Sequence, residues 1–185
     1  MVGLMIMAGG QSRRMGHDKA LMAGGLRRLI REAKDAELDP VVVLAGPSPR
    51  GTELCDEGHI PPETMVMDDP PDATCLHDVL VEVLDGRWPA MLLCPCDAVL
   101  IDAPLLRALV KAGPGVPLDH EGQRQPLFAH LPEHWSASSH PERRAVALMD
   151  GLPSLNVGPM AQRLQTANTP QELAKLLASR QPDAA

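Results

Sequence analysis

Three continuous apolar runs of strand length mark the first half of the chain, at residues Val2–Met7, Val41–Ala45 and Ala90–Cys94. Runs without alternating polar residues are typical of strands that are covered on both faces. Segments with apolar residues at helical spacing lie between these runs. Strands that alternate with helices predict a mainly parallel sheet with right-handed crossovers. We therefore expect an α/β fold of three layers, α/β/α, with the sheet in the middle.

The remaining elements follow from apolar spacing and from capping signals. A shorter strand is expected at Thr64–Met67, and a hairpin is expected around Glu121-Gly122 between Val116–Asp119 and Gln125–His130. Asp102 precedes a proline and an apolar helical pattern, which predicts a capped helix start. The other predicted helices are Leu26–Ala36, Thr74–Leu84, Pro141–Met149 and a last helix from the Thr169 capping box to about Ser179.

The segment Ala8–Lys19 directly follows the first predicted strand. Gly9-Gly10 allows a sharp turn with open backbone N–H groups, and Arg13-Arg14 and Lys19 add three cations. Backbone donors beside guanidinium and ammonium groups are suited to holding phosphates. The alternative is an ordinary strand-to-helix turn with solvated basic residues. Three cations so close together in an acidic protein favour the phosphate site.

Two common phosphate loops are excluded by spacing. A P-loop requires Gly-Lys-Ser/Thr, but here two residues separate Gly16 from Lys19. The dinucleotide fingerprint G-x-G-x-x-G does not match the positions of Gly9, Gly10 and Gly16 either. A phosphate site in this segment must therefore have a loop geometry other than these two.

Two aspartates follow predicted strands at the same edge of the sheet as the glycine turn. Asp69 comes after the short strand, and Asp97 comes after the run that ends at Cys94. Ligands of parallel sheets bind beyond the carboxyl ends of the strands. Carboxylates there can hold Mg²⁺ against nucleotide phosphates. For Asp97 the alternative is a capping or turn residue. For Asp69 the alternative is a residue of a solvated turn. Its neighbour Asp68 also leaves the assignment open by one residue.

These motifs together resemble one family of nucleotidyltransferases. The loop Ala8–Lys19 resembles the signature L-A-G-G-x-S-x-R-M-G-x-D-K, and within that group the chain is most similar to the molybdenum cofactor guanylyltransferases (MobA family). Four later segments are similar to motifs of that family: Cys94-Pro95-Cys96-Asp97, Gln125-Pro126-Leu127, Glu142-Arg143-Arg144 and Ala167–Leu173. The resemblance spans nearly the whole chain and implies the nucleotidyltransferase-type, Rossmann-like fold.

The resemblance implies transfer of GMP from GTP to the terminal phosphate of molybdenum-bound molybdopterin, with Mg²⁺ as cofactor and pyrophosphate released. It assigns nucleotide binding to Met7, Ala8, Gly9, Gly10, Lys19, Asp69 and Asp97. It assigns catalysis to Arg14, Lys19 and Asp97, with Asp97 as the metal ligand. GTP and the molybdopterin cofactor are the expected partners, together with molybdoenzymes or cofactor-insertion proteins.

Several positions differ from the family pattern on the side that reads the base. Leu44 stands where the family has an asparagine, and Asp72–His77 replaces a G-P-L-A-G loop. Thr166 replaces the first asparagine of N-x-N-T-P near the C-terminus. Two alternatives therefore remain open. One is the related cytidylyltransferase, although its loop has A-A-G where this chain has Ala8-Gly9-Gly10. The other is a relative that binds nucleotide without turnover.

Composition limits the classes of function. The 185 residues suit one domain, expected at residues 1–180 with a disordered tail at 181–185. The net charge of −7 and the low aromatic content (2%) argue against nucleic acid as a partner. No apolar stretch is long enough for a membrane span or leader. The four cysteines lack the spacing of a disulfide scaffold or a zinc site, which favours buried structural thiols and a cytoplasmic location.

Overall fold

The computed structural model describes residues 1–9, 18–167 and 169–180. Within these ranges the main sheet has five strands in the order β3-β2-β1-β4-β6. Its parallel strands are β1 (Val2–Met7), β2 (Val41–Gly46), β3 (Met65–Asp68) and β4 (Ala90–Pro95), and β6 (His130–Leu131) is antiparallel to β4. The predicted mainly parallel sheet is confirmed. The predicted tail at 181–185 lies outside the described residues.

Each central strand is buried on both faces, which explains its continuous apolar sequence. In β1, Leu4 and Ile6 pack into one hydrophobic cluster and Met5 and Met7 pack into another. Successive strand residues point to opposite faces, so the two clusters lie on opposite sides of the sheet. Helices cover both sides, and the predicted three-layer arrangement is confirmed.

The first cluster packs against helices α1 (Gly25–Asp35), α2 (Arg50–Asp56) and α4 (Ala103–Ala112), and the second packs against α3 (Leu76–Val83). The predicted bounds of α1 and α3 differ from these by at most two residues at either end. α5 (Pro170–Arg180) begins after Thr169, whose Oγ1 accepts a hydrogen bond from the Glu172 N–H at 3.2 Å. Both predicted helix starts, at Asp102 and Thr169, are therefore confirmed.

The predicted helix at Pro141–Met149 is wrong. A 3₁₀ helix covers only Ala145–Met149. Arg143 has a φ of +47° and Arg144 has an extended backbone, with φ −101° and ψ 127°. Neither conformation belongs to a right-handed helix, so the helix cannot pass through these positions.

The predicted hairpin forms in part, at its turn and at an antiparallel bridge between Gly115 and His130. Leu118 bridges Arg124, and the Asp119 carboxylate accepts the N–H groups of Glu121 and Gln123, each at 2.9 Å. The Pro117 carbonyl also accepts the Gln125 N–H at 2.8 Å, but the residues between this bond and the Gly115–His130 bridge take other partners as well. Strand β5 (Val116–Pro117) pairs in parallel with β7 (Ser154–Leu155), and Pro126–Phe128 forms a 3₁₀ helix. A proline in each arm lacks the N–H that a longer ladder would need.

Three short helices were not expected from the sequence. They are α2 and two 3₁₀ helices at Lys19–Gly24 and Gly158–Arg163. None is longer than seven residues, which is too short for a clear helical period. None of the helices in the described ranges has both the length and the apolar character that a membrane crossing requires.

Trp88 ties the end of α3 to the loop before β4. Its indole N–H donates to the carbonyl of Val83, the last residue of α3, at 2.7 Å. The Arg87 guanidinium lies 5.6 Å from the centre of the ring, within cation–π range. The side chain is buried in the second cluster.

The start of α4 provides a test of one local interaction. The Asp102 carboxylate accepts the Leu105 N–H at 3.0 Å and also bonds to the Arg163 guanidinium. Asp102→Ala should lower the free energy of unfolding by about 1 kcal/mol, because the first turn loses its cap. Asp102→Ser keeps a capping oxygen but cannot form the ion pair, so it should retain most of the stability. Urea unfolding measures both. Equal losses would assign the effect to Arg163 instead.

Candidate active site

A cavity of about 620 Å³ lies at the carboxyl ends of the parallel strands. Its walls come from residues just after or near the ends of β1 to β4 and from the loops that follow them. The lining residues are Met7, Gly9, Leu44, Pro47, Asp69, Ala73, Thr74, Cys75, Leu76, Val79, Pro95, Cys96, Asp97 and Leu127. The predicted meeting of Gly9, Asp69 and Asp97 at this edge is confirmed. The volume is within the range of small-molecule sites.

A close backbone approach between Gly9 and Gly46 forms one end of the cavity. A Cβ on Gly9 would lie 2.8 Å from the Gly46 Cα and 3.5 Å from Asp69 Oδ1. Gly46 has a φ of +105°, a conformation that L side chains rarely adopt. The Gly46 carbonyl accepts the Asp69 N–H at 2.8 Å. The two glycines therefore bring the ends of β1, β2 and β3 together.

The register between β2 and β3 decides which of two adjacent aspartates faces the cavity. Leu44 pairs with Met67, but Gly46 pairs with Asp68, so β2 has one extra residue at this point. Such bulges change the direction of the strand end. Asp69 lines the cavity, whereas Asp68 Oδ1 accepts the Gly51 N–H at the start of α2, at 2.9 Å. The structure thus separates a site carboxylate from one that supports α2.

The electrostatic environment of Asp69 disfavours its negative charge. Partial burial is the main cause that raises its pKa above the usual value, and the nearby Asp68 carboxylate adds to the effect. The Arg50 guanidinium acts in the opposite direction. A cation bound in the cavity would offset this unfavourable charge.

Asp97 lies in a turn two residues beyond β4. The turn is held from below by Arg28 of α1, whose guanidinium donates to the carbonyls of Ala98 at 2.9 Å and Ile101 at 2.5 Å. Arg28 is only 6% exposed, so this contact is shielded from water. The anchoring of the turn by a buried arginine was not evident from the sequence.

The Cys94-Pro95-Cys96 motif is part of the packing. Cys94 is fully buried, and burial raises the pKa of its thiol well above the usual range. A thiol kept neutral in this way is a poor metal ligand, because metals bind the thiolate. The prediction of a buried structural thiol is confirmed for Cys94. Pro95 and Cys96 line the cavity beside Asp97.

The donor set of the cavity fits a divalent cation such as Mg²⁺. Asp69 and Asp97 both line it, and carboxylate oxygens are the hard ligands that Mg²⁺ prefers. Partial burial and the nearby Asp68 carboxylate raise the pKa of Asp69, which is the direction that a bound cation would reverse. Asp97 as the metal ligand stays a prediction.

The end of the predicted phosphate loop is anchored through Asp18. Its carboxylate accepts the Ala20 N–H at 2.9 Å and two hydrogen bonds from Arg50 Nη2, at 2.8 and 2.7 Å. Arg50 belongs to α2, which directly follows the β2 edge of the cavity. The backbone at Lys19, the first residue of a 3₁₀ helix, is thereby fixed near the strand ends.

The other predicted nucleotide-binding residues differ in their placement. Met7 lines the cavity, whereas the side chain of Ala8 packs into the cluster on the α1 side of the sheet. The Ala8 N–H donates to the Leu44 carbonyl at 2.8 Å. Gly10 and Arg14 lie outside the described residues. The predicted roles of these residues and of Lys19 stay predictions.

One wall of the cavity is apolar, with Leu44, Leu76, Val79 and Leu127 contributing side chains. Leu127 belongs to the Gln125-Pro126-Leu127 motif, so that segment reaches the cavity as the resemblance implied. Leu76 and Val79 were expected only as inward-facing residues of α3. Their apolar spacing marked them as core, and nothing in the sequence distinguished a cavity wall from a packed interior.

Comparisons with known proteins decide the family. The family model described as "MobA-like NTP transferase domain" matches residues 4–157. A molybdenum cofactor guanylyltransferase from Pseudomonas paraeruginosa (strain DSM 24068 / PA7) is 30% identical over 194 residues, covering 93% of this chain and 92% of the relative. The chain belongs to the MobA-like NTP transferase family.

Further comparisons agree with this assignment. A molybdenum cofactor guanylyltransferase from Pseudomonas aeruginosa (strain LESB58) is 30% identical over 193 residues, with 92% of each chain covered. A solved nucleotidyl transferase from Methanothermobacter thermautotroptrophicus has a TM-score of 0.69 at 15% identity and covers 97% of both chains. The predicted family, fold class and nucleotidyltransferase activity class are confirmed.

The unfavourable charge on Asp69 leads to a test. Because its pKa is higher in the folded state, the ionised carboxylate costs stability as pH rises from the unfolded pKa of about 3.9 through the folded value. Asp69→Asn should therefore melt at the same or a higher temperature than wild type at pH 7.5, and the difference should vanish in acid. Affinity for Mg²⁺-nucleotide should fall roughly 10–100-fold.

Thermal unfolding across pH and nucleotide titration measure both effects. The exposed Asp72, in the loop that follows, provides the control variant Asp72→Asn, which should change neither. A melting temperature for Asp69→Asn that is lower at every pH would show that the carboxylate is needed for folding.

Proposed function

We propose that this protein transfers GMP from GTP to the terminal phosphate of molybdenum-bound molybdopterin and releases pyrophosphate. The observation that carries the proposal is the shared cavity of Gly9, Asp69 and Asp97 in a chain of the MobA-like NTP transferase family. The activity itself comes from the names of the relatives, which are molybdenum cofactor guanylyltransferases.

The glycine end of the cavity is suited to the triphosphate. Gly9 lines the cavity, and the Gly46 backbone occupies the place where a Cβ on Gly9 would lie, so Gly9 offers only its backbone to a ligand. In the proposed reaction Gly9 and Gly10 bind phosphate oxygens through backbone N–H groups. Arg14 and Lys19 neutralise the charge that develops as the α-phosphate is attacked and pyrophosphate leaves.

Asp97 holds Mg²⁺ in this proposal, and Asp69 contributes a second carboxylate to the same cavity. The metal would neutralise phosphate charge. Arg28 keeps the Asp97 turn in place through two backbone carbonyls. Nucleotidyl transfer depends mainly on positioning and charge stabilisation, so the site needs no dedicated general base.

The base lies against the apolar wall in this arrangement. Leu44, which stands at the family's asparagine position, is 3% exposed and contributes no hydrogen-bonding side chain. Base selection must then rest on groups other than the side chain at this position. This feature favours one second candidate: a protein that binds nucleotide without turning it over.

Nucleotide preference and turnover test the proposal directly. With Mg²⁺ and a molybdenum-molybdopterin acceptor, pyrophosphate release should be faster with GTP than with CTP or ATP. GTP should also raise the melting temperature most, since binding to the folded state stabilises it. Preference for CTP would instead indicate the cytidylyltransferase. GTP binding without pyrophosphate release from any pterin acceptor would support the binding protein.

The metal assignment is tested by Asp97→Asn, which keeps the size of the side chain and removes its charge. Mg²⁺-dependent turnover should fall roughly 10²-fold or more, the scale of losing one group that stabilises developing charge. The melting temperature should stay near that of wild type. Asp56→Asn, at an exposed position of α2, is the control. Parallel loss of folding and activity would make Asp97 structural and the metal assignment wrong.

A further inference from the structure

The segment after β6 folds back onto the start of α3 beside the cavity. The backbone N–H of His140 donates to His77 Nε2 at 3.0 Å. The Cys75 thiol lies 3.8 Å from the Arg143 carbonyl, a sulfur hydrogen-bond distance. Two parts of the chain that are more than 60 residues apart are thus joined at the mouth of the proposed nucleotide site.

Arg143, Asp78 and Thr74 form the centre of this junction. Arg143 Nε and Nη2 donate to Asp78 Oδ1 and Oδ2 at 3.3 and 2.5 Å, a two-pronged contact. Thr74 donates to Asp78 Oδ2 through its N–H at 2.9 Å and through Oγ1 at 2.8 Å. Arg143 Nη2 also donates to Thr74 Oγ1 at 3.1 Å. Bidentate arginine–carboxylate pairs are geometrically specific as well as strong.

The charge state of the junction is well defined. The hydrogen bond from the Arg143 guanidinium is the main cause that holds the pKa of the Asp78 carboxyl well below its usual range, and the hydrogen bonds from Thr74 add to this effect. The pKa of Arg143 is raised in turn by Asp78. The pair therefore stays ionised throughout the physiological pH range.

His77 completes the junction from inside the protein. It is 2% exposed, and its Nε2 accepts a hydrogen bond, so the ring proton is on Nδ1 and faces Asp78 Oδ1 at 3.2 Å. Potential ligand atoms of Cys75, His77 and Asp78 lie within 4.8 Å of one another. Both His77 nitrogens and the Asp78 carboxylate are already bonded within the protein, so this group serves packing rather than metal binding.

The backbone of Arg143 is consistent with a residue held by its side chain. Its φ of +47° is uncommon for a residue with a Cβ. Such conformations persist where surrounding contacts determine them strongly. Here the contacts are the fork to Asp78 and the bond to Thr74.

The Asp78–Arg143 latch consists of Asp78, Arg143 and Thr74 together with the His77–His140 hydrogen bond. We propose that this latch positions the cavity wall for nucleotide binding. The cavity is lined in part by Thr74, Cys75 and Leu76. Asp78 and Arg143 both form hydrogen bonds to Thr74. Arg143 is thus a positioning residue that need not touch substrate. The inference rests on the proposed function for the identity of the nucleotide, but not on turnover.

Arg143→Met removes the fork and keeps an unbranched side chain. The matched control is Arg144→Met, because Arg144 is the adjacent exposed arginine and pairs with Glu142 at 3.4 Å. Asp78→Asn and the double variant complete a cycle, and Arg143→Lys retains the charge without the fork. Melting temperatures identify any variant that fails to fold, in which case Arg143→Lys replaces Arg143→Met.

The first measurement does not depend on activity. Cys75 is exposed, so its alkylation, followed by peptide mass spectrometry, reports the contact of its thiol with the Arg143 carbonyl rather than access through an opening loop. The rate should rise about twofold or more in Arg143→Met, the scale of losing an exposed ion pair. Cys55, which is also exposed and free, is the internal reference and should not change. Asp78→Asn should give the same increase, and the double variant should add little to it.

The second measurement is affinity for GTP by direct titration with Mg²⁺. Affinity should fall about two- to fivefold in Arg143→Met, the scale of an exposed ion pair, because the Arg143 side chain is 58% exposed, and it should remain unchanged in Arg144→Met. In turnover assays the KM for GTP should rise by the same factor while kcat changes less than about threefold. GTP should also slow alkylation of Cys75 in wild type.

The outcomes separate this inference from the proposed function. If Arg143→Met matches Arg144→Met in labelling and affinity, the latch is wrong. Faster labelling with unchanged GTP affinity would reduce it to a surface contact and also overturn the inference. If wild type binds GTP but shows no turnover, the transferase proposal fails, while labelling and affinity still decide the latch.

Discussion

The close approach of Gly9 and Gly46 is the constraint on which the rest of the site depends. A single Cβ at Gly9 would lie 2.8 Å from the Gly46 Cα, so the strand ends could not meet as they do. The carbonyl oxygen of the same Gly46 accepts a hydrogen bond from the Asp69 N–H. The end of the cavity at Gly9 and the end at Asp69 are therefore connected through the backbone of Gly46.

Charge is distributed to suit an anionic ligand brought with a cation. The protein carries a net charge of −7, and Asp69 is kept beside Asp68 in partial burial. A free polyphosphate would meet repulsion from such a surface. In the proposed function, a nucleotide accompanied by a divalent ion would meet carboxylates whose negative charge the metal offsets. Basic groups are placed locally, with Arg50 bonded to Asp18 next to the phosphate segment.

The central sheet and the meeting of Gly9, Asp69 and Asp97 could be predicted because continuous apolar runs identify buried strands and strand ends share one edge. Strand patterns alone could not decide whether Asp69 or Asp68 faces the cavity, since this depends on a one-residue bulge between β2 and β3. The conformation of Pro141–Met149 could not be predicted from its sequence either. Its apolar spacing suggested a helix, but contacts with Asp78, which is 65 residues away, accompany a left-handed backbone at Arg143. Local patterns carry no information about such distant partners.

The bond between the Trp88 indole and the carbonyl that ends α3 has an optical consequence. The chain has two tryptophans and no tyrosine, so its ultraviolet emission comes almost entirely from two indoles. One of these, Trp88, is buried against the last residue of α3, while Leu76 at the other end of that helix lines the cavity. A ligand that shifts the helix along its axis would change the polarity around the ring. Trp88 is not among the residues that line the cavity, so such a change in emission would report on the helix itself.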